Sequence, residues 1–320
     1  MVMQEMNKIT FVAYDTICTI CISGPTEESS RLLLEKAKRL ALLVHNTLSM
    51  YDPDSELSKL CASYTFGKPA VVSKMLYDFI KLNLEFSQQT DGAFDFTVGP
   101  LVKLWDFLGD HPQIPGDQDL ERVKKRVGFH HVHLSSARQE VVFDAADMML
   151  DPGASGKGYA LQLVSDFLKE SGVKKGVLDF GGNLFVLGSK PSTEGKEEPW
   201  SVGIRCPDKK SMIGAVNLSD RGIATSSWYE HCFRKGGRIY HHLLDPLTGR
   251  PQEMDISSVS IISSKAVYTD FLSTAFFVMG FEAGCKLATH IRDRKGVDVD
   301  YVVLKKDGRL LASKGACLLS

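Results

Sequence analysis

The sequence predicts an α+β fold, in which hairpin-built sheets, mixed or antiparallel, pack against helices. The first observation is a hairpin signal, Asp307-Gly308, between two apolar runs near the end of the chain. The second is a set of segments whose apolar residues recur at helical spacing. Because hairpins and helices are mixed, and do not alternate one for one, a regularly wound parallel sheet is not expected.

The first half of the chain is predicted to open with a strand over residues 8–23, which alternate in polarity. Apolar residues at helical spacing predict a helix from Pro25 to Leu48. A turn-rich segment follows at 49–60. Further elements are a helix at about 73–88, a turn with a short helix within 90–110, a helix at 118–126 and a hairpin across 131–144.

The second half begins with a glycine-rich turn that opens a helix near Gly156, followed by an apolar strand at 174–188. Mostly strands are then expected, at 200–207, 211–227, 238–251 and 257–264, with a polar loop at 189–199. Two helices follow, from about Val267 to Met279 and from Glu282 to Arg294.

Composition excludes several classes of protein. The formal net charge of −1 over 320 residues leaves no basic footprint for nucleic acid or an anionic membrane. No apolar stretch reaches the roughly 18 residues of a membrane span, and the first residues do not resemble a secretion signal. We therefore expect a cytoplasmic protein that binds neither nucleic acid nor membrane.

The seven cysteines are an odd number and do not suggest a disulfide framework. Cys18 and Cys21 form a CxxC pair, but they lie in a predicted strand, where residues three apart face opposite sides. No second ligand pair for zinc is present. A packing role is favoured for both residues.

The segment "LDPGASGKGYA" resembles a nucleotide-binding phosphate loop at first sight. Asp151 stands where such a loop needs its first glycine, and Gly158 follows Lys157 where a Ser or Thr is needed. A phosphate loop of an NTPase is therefore excluded. An anion at the helix start remains favourable, because free backbone N–H groups and the helix dipole point there.

Other polar clusters lie in predicted turns and strands. Asp91 and Asp95 flank a small-residue turn, which capping alone could explain. Paired glycines at 181–182 interrupt an apolar strand and suggest a bulge or a ligand close to the backbone. His241 and His242 are adjacent in a predicted strand and should face opposite sides, so one could act as a base.

Asp270, Ser273 and Thr274 are expected on one face of a largely apolar helix, at positions i, i+3 and i+4. A carboxylate in such a helix needs a partner. A hard cation such as Mg²⁺ prefers oxygen ligands and would supply one.

These clusters, taken in order, resemble the ApbE family of FAD:protein FMN transferases. The matching blocks are "LSMYDPDSELSKL", "DGAFDFTVGPLVKLWDFLG", "LDPGASGKGYA", "LDFGGN", "IATSSWYE", "YHHLLDPLTGRP" and "TDFLSTAFFVMG". They run from about residue 14 to residue 280. The resemblance implies the family's T-fold-related α+β architecture, a single domain over residues 1–320 with two interleaved lobes.

The resemblance also implies substrates and site residues. Members bind FAD and Mg²⁺ and transfer FMN to a threonine of an acceptor flavoprotein, with release of AMP. Carried over, the flavin-binding positions are Tyr14, Tyr51, Ala93, Phe94, Asp95, Asp151, Lys157 and Leu244. The metal ligands are the Ala154 carbonyl, Asp270, Ser273 and Thr274. His242 is the candidate base for the acceptor hydroxyl.

The chain departs from the family pattern at several positions. Leu48 replaces a methionine, Tyr14-Asp15 replaces a Met-Gly pair, and Ser155-Gly156 replaces Ile-Ala in the glycine loop. Without a signal for export, a cytosolic reductase is the expected acceptor. Two alternatives remain open: an FAD pyrophosphatase that gives FMN and AMP, in which water replaces threonine, and a flavin-binding protein without catalysis.

Overall fold

The computed structural model of the protein describes residues 6–24, 26–107, 109–190, 197–207, 211–253 and 255–319. The start of the first predicted helix, Pro25, and residues 191–196 of the predicted polar loop lie outside these ranges. The helices in the described part are α1 Glu27–Leu48, α2 Glu56–Ser63, α3 Lys74–Gln89, α4 Gly99–Trp105, α5 Asp117–Lys124, α6 Gly156–Glu170, α7 Ala266–Met279 and α8 Phe281–Lys295.

The strands are short, apart from those of one large sheet. They are β1 Asn7–Ala13, β2 Thr16–Ser23, β3 Ala70–Val71, β4 Val132–Ser135, β5 Glu140–Phe143, β6 Lys175–Phe180, β7 Asn183–Leu187, β8 Trp200–Arg205, β9 Met212–Leu218, β10 Gly222–Ser227, β11 Cys232–Lys235, β12 Arg238–His241, β13 Leu244–Asp245, β14 Arg250–Pro251, β15 Ile256–Ser263, β16 Asp300–Lys305, β17 Leu310–Ala312 and β18 Leu318–Leu319.

One sheet of eight strands organises the fold, in the order β1-β2-β6-β7-β10-β15-β16-β17. Every neighbouring pair in it is antiparallel. Two three-stranded sheets, β18-β9-β8 and β3-β5-β4, and two hairpins, β11-β12 and β13-β14, complete the strands. Antiparallel sheets with packed helices confirm the predicted α+β class.

The large sheet is covered on both faces. Helices α1, α6, α7 and α8 pack side by side, and α7 lies against β10 and β15. Alternate residues of β15 serve the two faces, since side chains alternate along a strand. Ile261 belongs to the main core with the helices, whereas Ile262 packs with Ile204 and Val216 of the β8-β9 sheet. The candidate residues of α7, Asp270, Ser273 and Thr274, thus lie on the helical side of the sheet.

Two predicted strands are corrected. Residues 8–23 form a hairpin, β1-β2, because Tyr14 and Asp15 turn the chain with φ of 54° and 53°. Gly181 and Gly182 do not interrupt a strand. They form the turn between β6 and β7, with φ of 66° and 91°, a conformation that suits glycine.

Three smaller corrections concern element boundaries. The turn-rich segment contains helix α2, which begins after Ser55, whose hydroxyl accepts from the Ser58 N–H. The strand predicted at 211–227 is two strands, β9 and β10. His242 lies just after β12, whose last residue is His241.

Cys18 is fully buried, whereas Cys21 is partly exposed on the opposite face of β2. Both thiols are free. Their opposite orientation agrees with the packing role expected for them.

We predict that Phe271→Ala lowers the free energy of unfolding by about 3–5 kcal/mol. Phe271 of α7 is fully buried and stacks on Phe86 of α3 with ring centroids 3.4 Å apart. Urea unfolding should report the loss. Phe66→Ala is the matched control, because Phe66 is 62% exposed and its loss should change stability little. A cost for Phe271→Ala no larger than the control's would contradict this account of the core.

Candidate active site

The site is built around the glycine-rich turn that starts helix α6. The Pro152 carbonyl accepts from the N–H groups of Ser155 (3.0 Å) and Gly156 (2.7 Å), which turns the chain into the helix. The Asp151 carboxylate accepts from the Gly153 N–H at 2.7 Å. No side chain caps the helix at Ser155. The first turn of α6 therefore presents N–H groups that another element must satisfy.

Asp270 of α7 supplies that partner. Its Oδ2 accepts from the Gly158 N–H at 2.8 Å, and its Oδ1 accepts from the Asn183 side-chain amide at 2.8 Å. A Cβ on Gly158 would lie 2.6 Å from the Asp270 Cβ and 2.9 Å from the Ala266 carbonyl oxygen. Glycine at 158 is therefore what allows α6 to approach α7 closely.

Hydroxyl groups gather next to this carboxylate. The Ser226 hydroxyl of β10 lies 2.8 Å from that of Ser273 and 3.2 Å from that of Thr274. Ser273 also donates to the Asp270 backbone carbonyl at 2.8 Å. Strand β10 and helix α7 together thus place three hydroxyl oxygens beside a buried acid.

This oxygen set fits a hard cation. Asp270 is only 6% exposed, and no Lys, Arg or His nitrogen of the described residues lies within ion-pair distance of it. A buried carboxylate held by neutral donors alone still favours a positive charge nearby. The Ser155 hydroxyl at the start of α6 is also buried without a hydrogen-bond partner. Oxygen donors of this kind suit Mg²⁺.

Three of the four ligands proposed for that cation are side chains of α7, and the fourth is the backbone carbonyl of Ala154. Asp270, Ser273 and Thr274 share one face of α7. Ala154 lies in the turn before α6 and packs against the main core. Within the described ranges, no group of three or more His, Cys, Asp or Glu residues is arranged to hold a metal. A cation here would depend on one carboxylate plus neutral oxygens.

His242 is held in a neutral form with a defined tautomer. Its Nδ1 lies 3.2 Å from the His231 carbonyl oxygen, which can only accept, so Nδ1 carries the proton and Nε2 keeps a lone pair. Burial, and then the nearby His231, lower the pKa of His242 from 6.5 to about 3. Lys157 is among the cations that contribute to this shift, which places it near the imidazole.

His241, the neighbouring histidine, has a structural environment. Its Nε2 donates to the Gln252 carbonyl at 3.1 Å, and its ring packs edge-on against Phe277 of α7. Burial lowers its pKa to about 4. Of the two histidines, His242 is therefore the better candidate for a base.

Tyr51 and Asp151 lie at an acidic part of the site. Tyr51 is 59% exposed. Partial burial, followed by the negative charges of Asp151, Asp15 and Asp106, raises the pKa of its phenol to about 12. Burial also raises the pKa of Asp151. Tyr51 therefore offers an accessible aromatic ring next to the glycine turn.

The turn containing Ala93, Phe94 and Asp95 is fixed by Asp95. Its Oδ1 accepts from the N–H and hydroxyl of Thr97 at 2.8 and 2.7 Å, and its Oδ2 accepts from the Phe129 N–H at 2.8 Å. Burial raises the pKa of Asp95, and these hydrogen bonds oppose that rise. Phe94 packs edge-on to Phe271, so only Ala93 is partly exposed.

At two other positions predicted to contact the flavin, the side chain already contacts other residues of the protein. The Tyr14 hydroxyl donates to the Ala41 carbonyl at 2.6 Å, and burial raises its pKa. Leu244 is 7% exposed and packs with Leu101 and Trp105. Their roles as flavin contacts stay predictions.

Sequence reasoning missed two residues of the site. Asn183 is notable in the sequence only because it follows two glycines. Ser226 belongs to the segment "IATSSWYE", in which no residue was predicted to bind a ligand or catalyse a reaction. The signal available for Asn183 was its place directly after paired glycines. No local signal marks Ser226, because its contacts lie 47 and 48 residues away in sequence.

Fold and site together define an α+β protein with a cluster of oxygen groups at a helix start and a neutral histidine near Lys157 of that helix. The sequence pattern of the ApbE family matches residues 14–299. The chain belongs to this family, which confirms the family predicted from the motifs.

Relatives and solved structures agree with this assignment. The FAD:protein FMN transferase of Treponema pallidum is 34% identical over 295 residues, which cover 88% of this chain and 79% of the relative. The enzyme of the same name from Escherichia coli K12 is 31% identical over 89% of this chain and 80% of its own length. The crystal structure of the ApbE protein of Thermotoga maritima superposes with a TM-score of 0.85, at 28% identity, over 97% of both chains.

We predict that the protein loses stability as the pH falls from about 6.5 to about 4. Below 6.5 the unfolded chain protonates His241 and His242, whereas the folded protein does not, so acid favours unfolding. The slope should approach about 1.4 kcal/mol per pH unit for each histidine, less for the partly exposed His242.

Urea unfolding at several pH values checks this expectation. The double variant His241→Asn/His242→Asn should show a shallower slope than the wild type over the same range. The comparison cancels Asp95 and Asp151, whose raised pKa values act in the opposite direction. Equal slopes in the two proteins would show that the histidines are not held neutral.

Proposed function

We propose that this protein transfers FMN from FAD to a threonine hydroxyl of an acceptor flavoprotein, with Mg²⁺ as cofactor and release of AMP. The observation that carries the proposal is the meeting of Asp270 with the first turn of α6, beside the hydroxyls of Ser273 and Thr274. The names of the relatives support FAD as donor and FMN as the group transferred.

In this proposal the pyrophosphate of FAD binds at the start of α6. The positive end of the helix dipole, together with the backbone N–H and the side chain of Lys157, favours an anion there. The Ala154 carbonyl, Asp270, Ser273 and Thr274 would hold Mg²⁺, which supplies neutralisation of the charge that develops on the phosphoryl oxygens.

His242 acts as the general base. Its Nε2 lone pair accepts the proton of the threonine hydroxyl, and the threonine oxygen forms a bond to the phosphorus of the FMN half. The bond from that phosphorus to the bridging oxygen breaks, and AMP leaves with the electron pair. A pKa of about 3 makes His242 a weak base in the free protein, but a bound anionic pyrophosphate would raise it.

The flavin half is assigned to the exposed ring of Tyr51 and to the turn at Ala93, Phe94 and Asp95. Asp151, Tyr14 and Leu244 complete the proposed contacts. Among these, Tyr51 is the most accessible, because it is 59% exposed. An aromatic ring of this kind suits stacking on a flat heterocycle.

The proposal treats residues 1–320 as one domain with two interleaved lobes. Its support is the large sheet, which combines strands from both ends of the chain, β1 and β17 among them. Within the described residues, no helix is both long enough and apolar enough to cross a bilayer. The cytoplasmic location, the cytosolic reductase as acceptor and the lack of nucleic-acid or membrane binding stay predictions of the sequence.

We expect Asp270→Asn to abolish Mg²⁺-dependent FAD cleavage. The amide keeps the size of the side chain but loses the charge that a divalent cation needs. The assay is AMP release at increasing Mg²⁺. Asp293→Asn on the exposed side of α8 is the control and should keep full activity. Full activity in Asp270→Asn would remove this residue from the metal site.

We expect His242→Asn to slow FMN transfer by roughly 100-fold or more, the range for loss of a general base. FAD binding, followed by flavin fluorescence, should stay within a few-fold of the wild type. His290→Asn, at an exposed position of α8, is the control. A transfer rate equal to that of the wild type would exclude His242 from the mechanism.

The proposed reaction is tested by chromatography of FAD incubated with the protein and Mg²⁺, with and without a threonine-containing acceptor domain. AMP together with a flavin-labelled acceptor establishes transfer. AMP and free FMN without an acceptor would instead establish an FAD pyrophosphatase. Bound but uncleaved FAD in both tubes would leave a flavin-binding protein without catalysis.

A further inference from the structure

The hairpin β11-β12 ends just before His242 and carries three basic residues around its turn. Its strands pair with each other and with no other strand of the described chain. The turn is Gly236-Gly237, with φ of 58° and 75°, the geometry of a tight two-residue hairpin. Arg234, Lys235 and Arg238 surround this turn and are all exposed.

The hairpin is anchored at one end only. Phe233 stacks on its cross-strand neighbour Tyr240, with ring centroids 5.4 Å apart. Tyr240 in turn contacts Trp105 of α4, and Phe233 contacts Phe107. These contacts fix the base of the hairpin against the protein, so the basic tip projects at a defined position.

The positive charges at the tip have no counter-ions in the described part of the chain. No Asp or Glu oxygen there lies within 4 Å of the Arg234, Lys235 or Arg238 side-chain nitrogens. Lys235 and Arg238 are also direct cross-strand partners. Like charges opposite each other destabilise a strand pair. An anionic partner bound at the tip would remove this repulsion.

The basic tip and His242 lie at opposite ends of strand β12. His242 follows β12 directly, and its N–H donates to the His231 carbonyl at 3.0 Å, which closes the base of the hairpin. Arg238 lies four positions before His242, a distance of about 13 Å along an extended strand. An acceptor whose hydroxyl group reaches His242 would therefore place its neighbouring surface next to the basic tip.

We propose that the tip of hairpin β11-β12 docks the acceptor protein, and that the acceptor carries acidic residues around its target threonine. This inference rests on the proposed transfer reaction. When the acceptor's threonine lies next to His242, the acceptor surface around that threonine contacts the hairpin. Opposite charges there guide encounter and fix orientation.

The test measures binding of dye-labelled peptides by fluorescence anisotropy at low ionic strength. Three peptides share a central threonine and are flanked by Glu, Gln or Lys. The wild type should bind the Glu peptide roughly tenfold more tightly than the Lys peptide. The variant Arg234→Glu/Lys235→Glu/Arg238→Glu should reverse this order.

A matched control reverses three exposed charges elsewhere, as Lys36→Glu/Arg39→Glu/Lys81→Glu on α1 and α3. It changes the net charge equally and should keep the wild-type order. Equal binding of the three peptides by the wild type, or an unchanged order in the hairpin variant, overturns the docking proposal.

Measurements of FAD binding and FMN transfer distinguish the docking proposal from two other outcomes: that the hairpin cations bind FAD, and that the proposed transfer reaction fails. If the hairpin variant loses FAD binding but keeps the wild-type peptide order, the cations serve FAD, and the docking proposal is wrong. If the peptide order follows charge as expected but no peptide receives FMN from the wild type, docking is supported and the proposed transfer reaction fails.

Discussion

The buried carboxylate of Asp270 is the interaction on which the candidate site depends. It accepts hydrogen bonds from the first turn of α6 and from Asn183 at the start of β7, so three separate parts of the chain meet at one carboxylate. A carboxylate removed from water costs several kcal/mol unless it is compensated. Two neutral donors compensate part of that cost, and a cation would compensate the rest.

This arrangement explains why small residues cluster around the site. Gly158 leaves room for α7, and its N–H, which has no partner within helix α6, donates to the carboxylate. The same helix start, with Lys157 in its first turn, would favour an anion through the helix dipole. A cation bound by α7 and an anion bound at the start of α6 would therefore lie close together and attract each other.

His242 is positioned by a different part of the fold. The base of hairpin β11-β12 fixes its backbone and its Nδ1 proton, while the aromatic anchor at Trp105 fixes the hairpin. The candidate base and the proposed cation site are thus carried by different elements of the fold. Substitutions at one should leave the other folded, so their contributions can be measured separately.

The sequence predicted most helices well, because their apolar spacing reflects burial on the sheet; α7 differs from its predicted start by one residue. It failed at residues 8–23, where Tyr14 and Asp15 adopt φ values unusual for side-chain-bearing residues. This turn contains no glycine, so the sequence gives no sign of it. A period-2 pattern continues through the hairpin, so the pattern alone favours one long strand.

For the site, the helical spacing of Asp270, Ser273 and Thr274 was enough by itself to predict a cation on that face. The partners of Asp270 could not be predicted in the same way. Gly158 and Asn183 lie 112 and 87 residues away from it in sequence, and no local periodicity links them. The flavin contacts were inferred from family resemblance alone.

The central claim is that Asp270 both caps α6 and holds a divalent cation, and calorimetric titration of Mg²⁺ tests it most directly. The protein should show one saturable site in the presence of FAD, and Asp270→Asn should show none while keeping its far-ultraviolet circular dichroism spectrum. Equal Mg²⁺ binding by the folded variant and the wild type would contradict the account.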